Sequence, residues 1–160
     1  MTGIFTAEGF RFLYRNDQGE LSRAAWWSGL VPLACVLVVM TVIWLLLAPW
    51  GQRGLGQRAF LDPMTIVAYA YLAVYAFAII LIAVCYTNLS AKRLRARGRP
   101  PSLAGLLPLA SLLSGAAHWL YPRVTETMPW ILVAGCDIAL AAMVVWHLID
   151  LGILNRPNPN

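Results

Sequence analysis

The chain has 160 residues, a length that suits one compact domain. Hydrophobic residues make up 60% of it and charged residues only 12%, where an average soluble domain carries about 25% charged. A water-soluble fold of this size needs more polar surface to cover itself, so lipid is the expected solvent and little chain is left for a soluble catalytic domain.

Residues 1–25 form a polar leader with embedded aromatics, Phe5, Phe10, Phe12 and Tyr14, beside Arg11 and Arg15. It reads either as a short tail or as an interfacial segment with aromatics down and arginines out. It has no continuous apolar run and no small-residue cleavage site, so the first span is expected to act as its own uncleaved insertion signal.

Four apolar stretches follow, at about 26–50, 64–89, 102–121 and 129–151. Each is long enough to cross a bilayer as a helix. The first is bounded by Trp26 and Trp50 and carries Pro32, where a kink is tolerated. A Gly/Gln/Arg loop (Gly51 to Asp62) leads to Pro63, which suits a first helical position. The third stretch is the least apolar, with Gly105, Pro108, Ser111, Ser114, Gly115 and His118. It is expected to cross, with a re-entrant segment as the alternative. Ser111 and Gly115 are four apart, as are Gly135 and Ala139 in the fourth stretch, and such pairs admit a neighbouring backbone. The short turn from Pro122 to Met128 predicts that spans three and four pack as a hairpin. Residues 152–160 read as a disordered tail, rich in Pro and Asn from Asn155 onward.

Between spans two and three, residues 90–101 read as a basic cytoplasmic loop closed by Gly98, Pro100 and Pro101. Its cations are Lys92, Arg93, Arg95, Arg97 and Arg99. Counting Lys and Arg by side gives nine with the leader, the basic loop and Arg156, and three (Arg53, Arg58, Arg123) on the other side. The positive-inside rule therefore predicts cytoplasmic termini. The fold expected is an all-α, four-helix antiparallel transmembrane bundle with both termini inside. Trp26, Trp27, Trp50 and Trp130 are expected to mark depth at the two interfaces.

Two segments carry a resemblance. The first is Gly19-Glu20-Leu21-Ser22-Arg23-Ala24-Ala25-Trp26-Trp27, just before span one. The second is Lys92-Arg93-Leu94-Arg95-Ala96-Arg97-Gly98-Arg99, followed by Leu106, Leu107 and Pro108. Together they resemble the bacterial inner-membrane family called domain of unknown function 805. Glu20 stands where that family has arginine, Arg95-Ala96 where it has His-Asp, and Pro100-Pro101 where it has a Ser-Gly/Pro step; the Trp that follows is absent. The resemblance implies a bacterial inner membrane and a multi-span helical fold, and it implies no activity.

The candidate sites are few. Lys92, Arg93, Arg95, Arg97 and Arg99, with Arg23 at the start of span one, are expected to attract anionic headgroups or an acidic partner; the plainer reading is a topology signal. Nucleic acid is not expected, because the loop lacks interleaved aromatics. Asp137 lies deep in span four, with Thr41, Tyr71, Tyr75 and Ser114 at similar depth and His118 nearer the surface. An ionised carboxylate there costs a few kcal/mol, so Asp137 reads as a hydrogen-bond node in a small polar core or as a proton or cation site. His147 and Asp150 read as interfacial polar residues, since two further metal ligands are lacking. Cys35, Cys85 and Cys136 read as small buried hydrophobes. No catalytic set, metal site or cofactor site is expected. The function expected is non-enzymatic: a structural, lipid-interacting or partner-binding inner-membrane protein. The alternatives are a transporter or channel component using Asp137 and an accessory subunit of a larger complex. A homo-oligomer is compatible with each.

Overall fold

The computed structural model describes residues 6–51, 62–121, 124 and 128–154. Of these, 87% are helical, with no strand among them. A short α1 (Ala7–Phe10), capped by the Thr6 hydroxyl at Gly9 N, runs into a π-helical turn, Arg11–Arg15. Then come α2 (Arg23–Gly51), α3 (Pro63–Ala96), a 3₁₀ turn (Pro101–Gly105) leading into α4 (Leu106–Leu120), and α5 (Trp130–His147), which ends in a second π-helical turn, Leu148–Ile153.

Four of these stretches are long and apolar enough to cross a membrane: Arg23–Gly51, Pro63–Ala96, Pro101–Leu120 and Trp130–Ile153. The third is the least apolar, in line with its Gly, Ser and Pro content. α2 continues through both Pro32 and Pro49. Most of the loop after Gly51, the turn around Arg123 and the tail from Asn155 lie outside the described residues, and so do Arg53, Arg58, Arg123 and Arg156.

The stretch expected as a basic loop departs from expectation: residues 90–96 are the last two turns of α3. Lys, Arg, Leu and Ala are all good helix formers, so nothing before Gly98 breaks the helix. There the chain stops sharply. Gly98 adopts φ +70°, with Gly98 N bonding Arg95 O (2.8 Å) and Arg99 N reaching back to Leu94 O (2.9 Å). This is the six-to-one and five-to-two pattern of a Schellman cap, with glycine in the left-handed position. At 34 residues α3 is about 51 Å long, well beyond a hydrocarbon core of roughly 30 Å. Its basic turns therefore project past the apolar length.

α2 pairs with α3: Trp26 meets Ser90, Gly29 meets Leu89, Thr41 meets Tyr75, and Gly51 lies near Ala68. α4 pairs with α5 through Ser114, His118 and Asp137. The two pairs meet mainly at the end where α3 stops and α4 begins, hereafter the basic end. The buried cluster sits there as well: Leu13, Tyr14, Leu21, Trp26, Leu89, Ala91, Leu94, Ala104 and Leu151. Elsewhere the helices expose large apolar side chains, such as Leu46, Phe77, Leu112 and Ile138. Cys35 is exposed in this way too, contrary to its reading as a buried residue, while Cys85 and Cys136 are half-buried.

Candidate functional site

The site with the most chemistry is the basic end, and its logic begins with unpaired carbonyls. A helix leaves its last carbonyls without intrahelical donors, and a π turn, bonding i to i+5, leaves one more. Two π turns end here, and α3 brings its cations to both.

On the leader, Lys92 Nζ donates to Leu13 O (3.0 Å), Asn16 O (2.8 Å) and Phe12 O. One turn earlier on α3, Asn88 Nδ2 donates to Tyr14 O (2.8 Å). The ammonium lies over the Phe12 ring, 4.7 Å from its centroid. Lys92 itself is 0% exposed. Tyr14 locks the leader from the other side, its hydroxyl donating to Gly29 O (2.9 Å). Burial, with a smaller contribution from Cys85, pushes the Tyr14 phenol up from its ordinary pKa, which keeps it a donor.

On the second π turn, five successive carbonyls each find a donor. Arg97 bonds Asp150 O, Arg93 Nε bonds Leu151 O (3.0 Å), Trp27 Nε1 bonds Gly152 O (3.1 Å), Arg23 reaches Ile153 O (3.4 Å), and a second Arg93 nitrogen takes Leu154 O (2.9 Å). Arg93 also reaches Leu21 O at 3.4 Å, which ties the leader to the same fork. Planar guanidinium donors suit this multi-carbonyl task better than a point charge does. Cations at helix C-termini also face the negative end of the helix dipole.

Side-chain pairs complete the end. Arg97 binds Asp150 Oδ1 at 2.9 Å and Arg99 lies 3.5 Å from the same oxygen. His147 Nδ1 is 2.6 Å from the Tyr86 hydroxyl, and Trp26 Nε1 donates to Ser90 (3.3 Å). Gly152 lets the indoles close in: a Cβ there would fall 2.7 Å from the Trp27 ring.

Several sequence readings change. Lys92, Arg93 and Arg97, expected to face headgroups, are committed to backbone carbonyls and to Asp150. His147 and Asp150, expected at the interface, are buried. Trp26, expected to mark depth, is a core residue, whereas Trp130 is exposed. Of the six cations expected at a headgroup site, the exposed ones are Arg23 and Arg99, with Arg95 half-buried and bonded to Asp17 O.

The leader supplies what the sequence reading left out of the site. Phe10 and Phe12 are 54% and 40% exposed, and Arg11 and Arg15 are exposed beside them. With Glu8 and Asn16, Arg11, Phe12 and Arg15 line an open hollow. The signal was the run Phe10-Arg11-Phe12 with Arg15 one turn on, legible as an interfacial segment or a short tail but without its anchorage on α2 and α3.

The intramembrane polar set divides in two. Ser114 Oγ donates to Asp137 Oδ1 (2.6 Å), and His118 Nε2 lies 3.0 and 3.1 Å from the two carboxylate oxygens. Thr41, Tyr71 and Tyr75 sit apart on the α2/α3 seam, where Thr41 Oγ1 and the Tyr75 hydroxyl are 2.9 Å apart and Tyr71 donates to Met40 O (2.7 Å). Trp44 and Tyr71 stack on Tyr75. Although Ser, Asp and His meet, the carboxylate sits between the other two, so the imidazole bonds Asp137 and not the Ser114 hydroxyl, unlike the order of a Ser–His–Asp nucleophilic set. Among the described residues no group of three or more His, Cys, Asp or Glu side chains gathers as for a metal.

No family model matches the chain, and neither a curated protein nor a solved structure matches it.

Proposed function

We propose that this is a small, non-enzymatic multi-pass protein of a bacterial inner membrane, with an antiparallel bundle and both termini cytoplasmic, whose basic end rests on anionic lipid headgroups. The carrying observation is the leader: a short helix and its π turn held to α3 by Lys92 and to α2 by Tyr14, presenting Phe10 and Phe12 beside Arg11 and Arg15. Aromatic rings suit the boundary of the hydrocarbon, and arginines suit the phosphates above it. Arg23, Arg95 and Arg99 lie at the same end and extend the positive surface. The orientation is supported by the nine-to-three division of Lys and Arg. The antiparallel arrangement is supported by contact pairs whose numbers rise along α2 as they fall along α3. The resemblance to domain of unknown function 805 supports the bacterial setting.

The test is native mass spectrometry of the full chain released from membranes in mild detergent. Each cation near an anionic leaflet contributes about 1 kcal/mol, so Arg11→Gln with Arg15→Gln is expected to lower retained anionic lipid about thirtyfold at equal folding. Unchanged anionic lipid rejects headgroup binding, and loss of a co-purifying protein instead assigns the surface to an acidic partner. Thiol labelling of single cysteines at Gln18 and Val124 reads orientation: Gln18→Cys is expected to react only from the cytoplasm and Val124→Cys only from the opposite side.

A second reading rests on the Ser114–Asp137–His118 group, an ionisable cluster inside spans three and four that fits a proton or cation site of a transporter component. Asp137→Asn would then abolish a flux while leaving the thermal midpoint unchanged.

A further inference from the structure

Asp137 on α5 and His118 on α4 form an ionisable contact set between these two helices, and it is open. The two side chains are 44% and 60% exposed. Asp137 lies roughly 10 Å along the axis from Trp130, below the surface of a hydrocarbon layer about 15 Å deep per leaflet. Lipid tails offer no hydrogen bond and no charge, so leaving this pair to them costs several kcal/mol. Something polar covers it.

The surroundings say what fits. On α4, Ser111, Gly115 and His118 share a face at spacings of four and three; on α5, Ala134, Asp137 and Ala141 share one at spacings of three and four. The direct contact between His118 and Asp137 puts both faces along one edge of the α4/α5 seam. Apart from the imidazole and the carboxylate, every side chain here is small. A Cβ built at Gly115 meets nothing within 4 Å, so the closeness that this glycine permits is not used within the chain. A partner backbone can approach there.

We propose that this edge, Ser111, Gly115, His118, Ala134, Asp137 and Ala141, is the contact face for a second copy of this chain. Copies inserted by the same positive-inside signal share one orientation, so a two-fold axis along the membrane normal brings equal depths together. Asp137 and His118 lie at one depth and can carry opposite charge. Rotation therefore sets each carboxylate near the other copy's imidazole, and the contact is made twice. A face of one charge sign would repel its own image; this one complements it. The proposal rests on the membrane-spanning reading but not on headgroup binding.

The test uses the full chain in native membranes, with Cys35, Cys85 and Cys136 replaced by alanine and single cysteines introduced by Ala141→Cys or Leu113→Cys. Leu113 is exposed, and helical geometry turns it well away from Ser111, Gly115 and His118. A short bifunctional maleimide is expected to give dimer from the Ala141→Cys chain at tenfold or greater yield over the Leu113→Cys chain. Adding Gly115→Leu, which the open space around Gly115 accommodates within one copy, is expected to remove that dimer. Equal yields from both positions, no dimer from either, or a crosslink at position 141 to a different protein would overturn the proposal. Alkaline extraction of the same membranes separates the two levels. A chain retained in the bilayer without dimer sinks only the pairing, and a chain released into solution sinks the spanning reading with it.

Discussion

Lys92 is fully enclosed and donates its hydrogen bonds to backbone carbonyls, while about two to four turns earlier on the same helix Phe77, Ile80 and Val84 are each more than half exposed. At the basic end most of the buried polar groups find partners among the described residues, Arg97 Nε, His147 Nε2 and Asp150 Oδ2 being the exceptions, and the apolar core is small. Along the spans the seams are thin, held by Thr41–Tyr75, Tyr71–Met40 and Ser114–Asp137, and the apolar side chains face away from the protein. The difference follows from the solvent. Where protein covers a helix end, its carbonyls are out of water's reach and side-chain donors must close them. Hydrocarbon offers no hydrogen bonds, so each span satisfies its backbone within its own helix and leaves its apolar side chains to lipid.

The largest effect should come from removing a donor at the basic end. Arg93 serves Leu151 O, Leu154 O and Leu21 O together, so Arg93→Met leaves three carbonyls short. A loss of about 3–5 kcal/mol is expected, as for breaking a buried charge–acceptor set, read as a fall in the thermal midpoint of the detergent-solubilised chain. Arg93→Lys should recover only a small part of it, because an ammonium cannot span the fork. Recovery to wild type would mean that charge alone matters there.

Close approach comes next. At Gly29 a Cβ would stand 2.7 Å from Leu89 Cδ1, and Leu89 is fully buried and cannot move aside freely. Gly29→Val is expected to cost about 1–3 kcal/mol by overpacking and to loosen α2 from α3 at the basic end. Protease accessibility of the leader should rise with it, since Tyr14 is anchored to Gly29 O. Gly98→Ala asks less. The left-handed position penalises any Cβ by about 1 kcal/mol, while the space around it is open, so a drop of only a few degrees in the midpoint is expected.

The sequence shows the four spans well because hydropathy over some twenty residues is a strong, local signal. Gly98 as a stop is equally local. The fate of the cations was not legible, because Lys92, Arg93 and Arg97 look like headgroup ligands until the chain ends at 12–16 and 150–154 are seen to lie beside them. What they satisfy is main chain, which has no sequence signature. The same holds for Trp26, whose indole reads as an interface marker but bonds Ser90 inside the core. Asp137 was legible as costly, and Ser114 as a neighbour at similar depth. That Thr41, Tyr71 and Tyr75 form a separate set depends on which helices pair, and periodicity does not encode that.

The smallest expected effect tests the thin seam directly. Thr41 Oγ1 donates to Leu37 O at 2.7 Å and lies 2.9 Å from the Tyr75 hydroxyl. Since that hydrogen already goes to the backbone, Tyr75 must donate to Thr41. Thr41→Val removes the acceptor and keeps the shape, so the Tyr75 hydroxyl loses its partner while the ring stays stacked between Trp44 and Tyr71. Hydrogen bonds between helices in lipid average about 0.6 kcal/mol, so the expected loss is under about 1 kcal/mol, measured as a shift in the unfolding midpoint. Tyr75→Phe should cost the same, and the double variant no more than either alone, if the two groups serve only each other. A loss nearer that of Arg93→Met would show that the spans are held by polar contacts after all, and the contrast between the two regions would fall.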